Sequence, residues 1–253
     1  MAKTIVMVHG AFCGGWVFER FRGSFEAAGH TVLTPDLPGH GLNDRRSVAG
    51  VGMNNYARAV AEVCEGCEAP PVLIGHSMGG LVAQLAAART PVSGLILLAP
   101  SPPWGVAGGS MEEAVSAVGL YALGPYWLQA IDPDYALAKL YSLDRMARDD
   151  RRAVFERMVP ESGLALWQTL NWWLDPFMTT LVPPGAISAP VLTVAGGRDV
   201  IHPPATVRQT AARLSARVEV MEKMSHWLPG EPGWEETAAL CLDWMVGAET
   251  AAA

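Results

Sequence analysis

No run of apolar residues in this 253-residue chain reaches the roughly 18 that a membrane-spanning helix needs, although half of the residues are hydrophobic. That absence excludes a helix that crosses a bilayer and leaves the apolar content to build an interior. Cysteine is scarce: Cys13, Cys64, Cys67 and Cys241 are the four present, too few for a disulfide scaffold of this length. Cys64-Glu65-Gly66-Cys67 has C-x-x-C spacing, yet no second pair and no histidine lies near it in sequence, as a zinc site requires. It closes a helical pattern rather than opening one, with Gly66 as the stop, so it reads as free thiols at a helix end. Charge is sparse as well. Only 17% of residues are charged, the formal net charge is −7 and the acids are dispersed, which excludes a surface for nucleic acid or anionic membrane. Repeats and low-complexity segments are absent. The chain enters a strand-like stretch almost at once, at Thr4, with no leader-like segment ahead of it, and this points to a cytoplasmic protein.

What the chain does have is a series of short, continuous apolar runs. Thr4–Val8, Thr31–Thr34, Pro71–Ile74, Gly94–Ala99, Pro190–Ala195 and Arg217–Met221 read as six strands. Continuous rather than alternating hydrophobicity fits strands covered on both faces. Helical patterns separate them, over Val17–Ala28, Asn54–Val63 (with Asn54 as N-cap), Leu81–Ala88, Pro204–Leu214 and Trp234–Val246. Strands alternating with helices give an α/β fold built on a mostly parallel six-stranded sheet with helices on both faces. From about Ser101 to Ser188 the alternation stops. This stretch holds helical patterns, no clear strand, and many aromatics, among them Trp104, Tyr126, Trp127, Trp167, Trp172 and Trp173. We therefore expect residues 1–100 and 189–247 to form one core, 101–188 to form a helical cap inserted in it, and 248–253 to be a fraying tail.

The chemistry centres on Gly75-His76-Ser77-Met78-Gly79-Gly80. A strand, G-x-S-x-G and a helix in succession make a nucleophile elbow, in which a sharp turn lifts the serine hydroxyl clear of the sheet. The following helix aims backbone N–H groups at the same point. A serine hydroxyl is a weak nucleophile at neutral pH. It needs a histidine to take its proton and a carboxylate to orient that histidine. After an elbow serine the acid comes next and the histidine last. Asp199 follows the fifth strand in Gly196-Gly197-Arg198-Asp199, and His226 follows the sixth in Ser225-His226-Trp227. Weaker competitors are His9 and His76 beside glycine turns, His30, His40 in Pro38-Gly39-His40-Gly41, His202 (only three residues past Asp199), and Asp36, which reads as a turn-stabilising acid. An oxyanion hole needs two N–H donors about 3 Å from the developing charge. Met78, after the serine, supplies one. Ala11, after His9-Gly10, supplies the other, with Phe12 as the alternative donor and its ring as pocket lining.

Val8-His9-Gly10-Ala11-Phe12-Cys13-Gly14-Gly15-Trp16, Glu26-Ala27-Ala28-Gly29-His30, Pro35-Asp36-Leu37 and the elbow resemble the α/β-hydrolase superfamily. Within it they are similar to the small capped group of plant methylesterases and hydroxynitrile lyases and to bacterial esterases. The resemblance implies Ser77 as nucleophile, Asp199 as acid, His226 as base, and Ala11 and Met78 as oxyanion donors. The lyases of this group carry threonine where Gly10 stands and lysine where Trp227 stands, so the resemblance implies ester hydrolysis rather than lyase chemistry. The expected activity is a carboxylic-ester hydrolase, with no cofactor or metal, acting on a small, largely apolar ester or lactone. Phe12, Trp104 and Trp227 are the pocket candidates. Neither nucleic acid nor membrane is an expected partner; a homodimer is compatible. Lactone, thioester, amide and C–C bonds are open to the same triad, and a ligand-binding receptor on a hydrolase fold is the reading from another class.

Overall fold

The computed structural model describes residues 2–41, 47–108 and 110–252. In chain order the elements are β1 (Thr4–Val8), α1 (Glu19–Ala27), β2 (Thr31–Leu33), α2 (Met53–Glu65), β3 (Val72–His76), α3 (Met78–Ala87) and β4 (Gly94–Leu98). An insertion follows, with α4 (Met111–Leu120), β5 (Ala130–Ile131), α5 (Tyr135–Leu137), α6 (Arg148–Phe155), β6 (Glu161–Ser162) and α7 (Gly163–Leu170). The core resumes with β7 (Val191–Gly196), α8 (Pro204–Leu214), β8 (Arg217–Met221) and α9 (Trp234–Ala252).

The main sheet has six strands in the order β2-β1-β3-β4-β7-β8, every neighbouring pair parallel. The uninterrupted apolar runs follow from this arrangement. Side chains alternate across the pleat, and here both faces are covered. Ile5, Met7, Ile74, Ile96, Leu98, Leu192 and Val194 face one side, against Phe21 and Phe25 of α1 and Cys241 and Met245 of α9. Val6, Val8, Leu73, Leu95 and Leu97 face the other, against Tyr56 and Val60 of α2 and Leu81 and Val82 of α3. The chain leaves β1 outward to β2, then returns to β3 on β1's other side. The direction of winding therefore reverses between β1 and β3, the crevice where open parallel sheets place their ligands. The register Val8↔Gly75 brings the loop after β1 and the elbow after β3 side by side at that point.

Three details differ from the sequence reading. The stretch 101–188, expected to lack strands, contains an antiparallel pair of two-residue strands, Ala130↔Ser162 and Ile131↔Glu161. Strands this short leave no periodicity to read. Helix α2 starts at Met53, with Gly52 rather than Asn54 as its N-cap; it is the Asn55 side chain that accepts from the Gly52 N–H, at 3.1 Å. The last helix continues past Val246 to Ala252, since an alanine-rich run propagates a helix already anchored by packing. As expected, α2 is capped by Gly66. The cysteines Cys13, Cys64, Cys67 and Cys241 are free thiols. Among the described residues no helix is long and apolar enough to cross a membrane.

Candidate active site

Ser77 sits between β3 and α3 with φ 54° and ψ −125°, a left-handed-side conformation that side chains other than glycine rarely adopt. The turn is held from several sides. The Ser77 N–H donates to the Leu98 carbonyl (3.0 Å), and its own carbonyl accepts from Gly80 (2.8 Å) and Ser101 (2.9 Å). Close approach explains Gly79. A Cβ built there would lie 2.1 Å from the His9 carbonyl oxygen and 2.5 Å from that of Val8, so only glycine lets the first turn of α3 pack against the end of β1. Gly10 is tight but less so, since a Cβ there would stand 3.1 Å from Cβ of Ser77.

Three side chains from three strand ends converge. His226 Nε2 lies 2.9 Å from Ser77 Oγ, and His226 Nδ1 lies 2.8 Å from Asp199 Oδ2. Asp199 is fixed through its other oxygen, which accepts from the N–H groups of Ile201 (2.8 Å) and His202 (3.0 Å). A carboxylate beside Nδ1 keeps the proton on that nitrogen and leaves Nε2 free to accept from the serine hydroxyl. Burial alone would raise the Asp199 pKa, but the His226 charge and hydrogen bond reverse this and hold it at about 2. Burial lowers the pKa of His226, Asp199 raises it, and the carboxylate prevails.

Two more histidines support the base. His76 Nε2 donates to the His226 carbonyl at 2.8 Å, and the two rings lie 5.1 Å apart. His202 donates from Nδ1 to the Ala99 carbonyl at 2.9 Å. Asp199, His202 and His226 bring possible metal-ligand atoms within 4.8 Å of one another. Seating an ion there means breaking the bond between Asp199 and His226, so these residues are already committed to each other.

The other singled-out residues divide. Phe12 is half-buried and packs on a small cluster of Tyr126, Ile131 and Leu166 from the insertion, together with Ala11, Trp127 and Trp167. Its N–H donates to Glu161 Oε2 at 3.2 Å, so it is engaged elsewhere as an oxyanion donor, which leaves Ala11 as the candidate in that loop. Trp104 stands edge-on to Trp172, ring centroids 5.5 Å apart. Trp227 lines a cleft with Trp16, Met146, Val154 and Arg157. It is 4% exposed within the core layer of α1 and α9, beside Trp16 and edge-on to His76, where it backs the base from the side of the fold. Asp36 accepts from the Gly15 N–H at 2.7 Å, the turn-stabilising role expected of it.

Sequence reasoning missed Glu161, which is fully buried and holds a polar node between insertion and core. Its Oε1 accepts from the Tyr56 hydroxyl (2.7 Å) and from the Ser162 N–H (2.7 Å). Its Oε2 accepts from the Phe12 N–H and from His40 Nε2 (3.0 Å). Three of these four partners lie 149, 121 and 105 residues away, beyond any local pattern. The one hint is a lone acid in Val159-Pro160-Glu161-Ser162-Gly163, in a chain sparing with charge.

A model of the alpha/beta hydrolase family matches residues 5–240. The chain belongs to the alpha/beta hydrolase family. Among curated hydrolases of this family, the pimeloyl-[acyl-carrier protein] methyl ester esterase of Neisseria meningitidis is 30% identical, over 97% of this chain and 93% of that protein. The pyrethroid hydrolase of Sphingobium wenxiniae is 36% identical over 37% of this chain, a match spanning 34% of that hydrolase. Methylesterase 9 of Arabidopsis thaliana is 36% identical over 35% of this chain and 36% of its own length. The chain thus aligns with about a third of the length of the last two. Among solved structures, an Arabidopsis methylesterase superposes with a TM-score of 0.74 at 17% identity, covering 97% of this chain and 99% of that one. At that identity the likeness is one of fold.

Proposed function

We propose that this hydrolase is a serine esterase that cleaves small, largely apolar carboxylic esters through an acyl-enzyme. The observation that carries the reading is the unbroken chain Ser77 Oγ, His226, Asp199, with links of 2.9 and 2.8 Å. In this reading His226 takes the Ser77 proton as Oγ attacks the ester carbonyl. The oxyanion accepts from the N–H groups of Ala11 and Met78; the latter opens α3, whose first N–H groups have no partner within the helix. His226 then gives its proton to the leaving alcohol, and a water that it deprotonates releases the acid. Asp199 orients the base and stabilises it when charged.

The insertion acts as a cap in this proposal. Ala11 and Phe12 pack against its buried cluster of Tyr126, Ile131 and Leu166, so the loop bearing the Ala11 donor is walled by aromatic and aliphatic groups that favour an apolar acyl or alcohol part. Relatives named as methyl ester esterase, methylesterase and pyrethroid hydrolase support ester cleavage. The four unpaired thiols fit a reducing compartment such as the cytoplasm. The test is a panel of chromogenic esters and lactones with wild type and Ser77→Ala, together with intact-mass labelling by a fluorophosphonate. Wild type should turn over esters and gain one adduct. Ser77→Ala should lose at least ~10³-fold in turnover and gain none. Ester turnover that survives Ser77→Ala refutes the covalent mechanism, and an unlabelled wild type favours a binding protein.

A further inference from the structure

Phe12 combines two unusual properties. Its φ is +63°, in the left-handed region that a bulky side chain adopts only when its surroundings impose it. Both of its backbone polar groups are also taken by one segment of the cap. The N–H donates to Glu161 Oε2 at 3.2 Å, and the carbonyl accepts from the Val159 N–H at 2.9 Å. The cap therefore grips this residue's backbone at two points, two positions from Gly10, which lies against Ser77. The grip is itself fixed. Tyr56 and His40, both from the core, hold the Glu161 carboxylate, and Ser162, the next residue, caps α7 by accepting from the Ala165 N–H at 3.3 Å.

We propose that Glu161 is a positioning residue for the oxyanion hole: by taking the Phe12 N–H it keeps the loop after β1 in the conformation that turns the Ala11 N–H toward Ser77. The inference rests on the esterase reading. The chemistry favours a carboxylate for the task. Four donors converge on two oxygens, and an ionised carboxylate has about four acceptor sites, whereas an amide has one acceptor oxygen and presents an NH₂ to two of those donors. Charge-assisted acceptance by a buried carboxylate is also stronger than acceptance by a neutral group. With the carboxylate gone, the Phe12 backbone loses half of its grip and can relax to an ordinary extended conformation, which re-aims the N–H one residue before it. The cap then does more than wall the pocket, because the oxyanion hole is complete only when the cap is seated.

The test compares wild type, Glu161→Gln, Glu161→Ala and Asp175→Ala well below their melting temperatures. It uses a chromogenic ester and a trifluoromethyl ketone, whose adduct with Ser77 puts an oxyanion in the hole. Glu161→Gln should lower kcat about 10-fold or more, with KM within about threefold, and weaken the ketone by the same factor as kcat/KM. Glu161→Ala, if it folds, should lose more. Amide hydrogen exchange in residues 9–13 should quicken in both. Asp175→Ala removes two bonds inside the cap, from the N–H groups of Phe177 (3.0 Å) and Thr179 (2.8 Å), without touching Glu161 or Phe12, and should lower the melting temperature while keeping kcat within about threefold. A folded Glu161→Gln with wild-type kcat/KM and ketone affinity overturns the proposal. So does an Asp175→Ala that loses as much as Glu161→Gln, since that marks a general loosening of the cap. If wild type neither hydrolyses esters nor labels at Ser77, the esterase reading fails instead. The positioning claim is then judged by exchange alone, and unchanged exchange in residues 9–13 of Glu161→Gln overturns it.

Discussion

Gly79→Ala tests whether the elbow and the loop after β1 are packed as one unit. The added methyl would start 2.1 Å from the His9 carbonyl oxygen and 2.5 Å from that of Val8, where ordinary contact begins at 3.4 Å. Both neighbours are backbone, so no side chain can swing aside. Val8 is in the sheet, and His9 is tied down by its ring, which accepts from the Leu37 N–H at 2.9 Å and donates to the Gly10 carbonyl at 2.8 Å. Relief therefore requires β1 and α3 to separate by roughly 1 Å. Overpacking of this kind costs about 1–3 kcal/mol. At ~2–4 °C per kcal/mol for a chain of this size, the melting temperature should fall by roughly 2–12 °C. The effect on activity should be larger than stability suggests. A 1 Å misplacement of reacting groups costs about 10²-fold, and the separation falls between Ser77 and the Ala11 loop. Circular dichroism melts and kcat/KM on a chromogenic ester measure the two effects. Gly23→Ala, in α1 with nothing within 4 Å of its Cβ, is the control and should stabilise by about 0.5–1 kcal/mol. A Gly79→Ala enzyme that melts with wild type and keeps kcat/KM within about threefold refutes the packing argument.

Asp199→Asn should fold and still label at Ser77, slowly, while kcat falls by about 10⁴-fold, because an amide facing Nδ1 no longer selects the tautomer that leaves Nε2 as acceptor; steady-state kinetics and labelling rates check this. The pH profile of kcat/KM should have an acid limb set by His226. Below its pKa the ring is protonated and cannot take the Ser77 proton, and Asp199 holds that pKa above the ordinary 6.5. Activity should therefore fall as pH drops through a midpoint above 6.5, and a midpoint below 6 refutes the assignment.

Legibility in the sequence followed the range of the interactions. The strands of the main sheet could be read because most are local apolar runs, and so could the elbow, a local pattern with a steric cause in Gly79. The proximity of Asp199 and His226 to Ser77 could be read because strand ends in an open parallel sheet share one edge, so that order along the chain translates into nearness. The packing of Trp227 could not be read, because its neighbour His226 says nothing about which way a ring turns; its ring lies beside Trp16 and edge-on to His76. The node at Glu161 was invisible for a deeper reason. A buried carboxylate is tolerable only where donors already converge, and these donors come from the loop after β1, the loop after β2 and α2. No window of sequence contains two of them together with the acid.

The same contrast between local and convergent chemistry explains how His226, the base of the proposed mechanism, differs from the histidines around it. Three imidazoles lie within 5.2 Å of one another in the pairs His76–His226 and His202–His226, and two charged rings so close would repel. Burial, and then the charge on His226, push His76 down to about 3 and His202 down to about 4. Both rings are therefore neutral wherever the protein is expected to work. As neutral rings they can each give their one N–H to a carbonyl, His76 to that of His226 and His202 to that of Ala99. Burial lowers His226 as well, yet it alone has a carboxylate bonded directly at Nδ1. One carboxylate thus separates a titrating base from two structural donors of the same residue type. It follows that replacing Asp199 removes an orienting bond and also the largest stabilisation of a proton on this ring, to which the Glu231 and Asp144 charges add less.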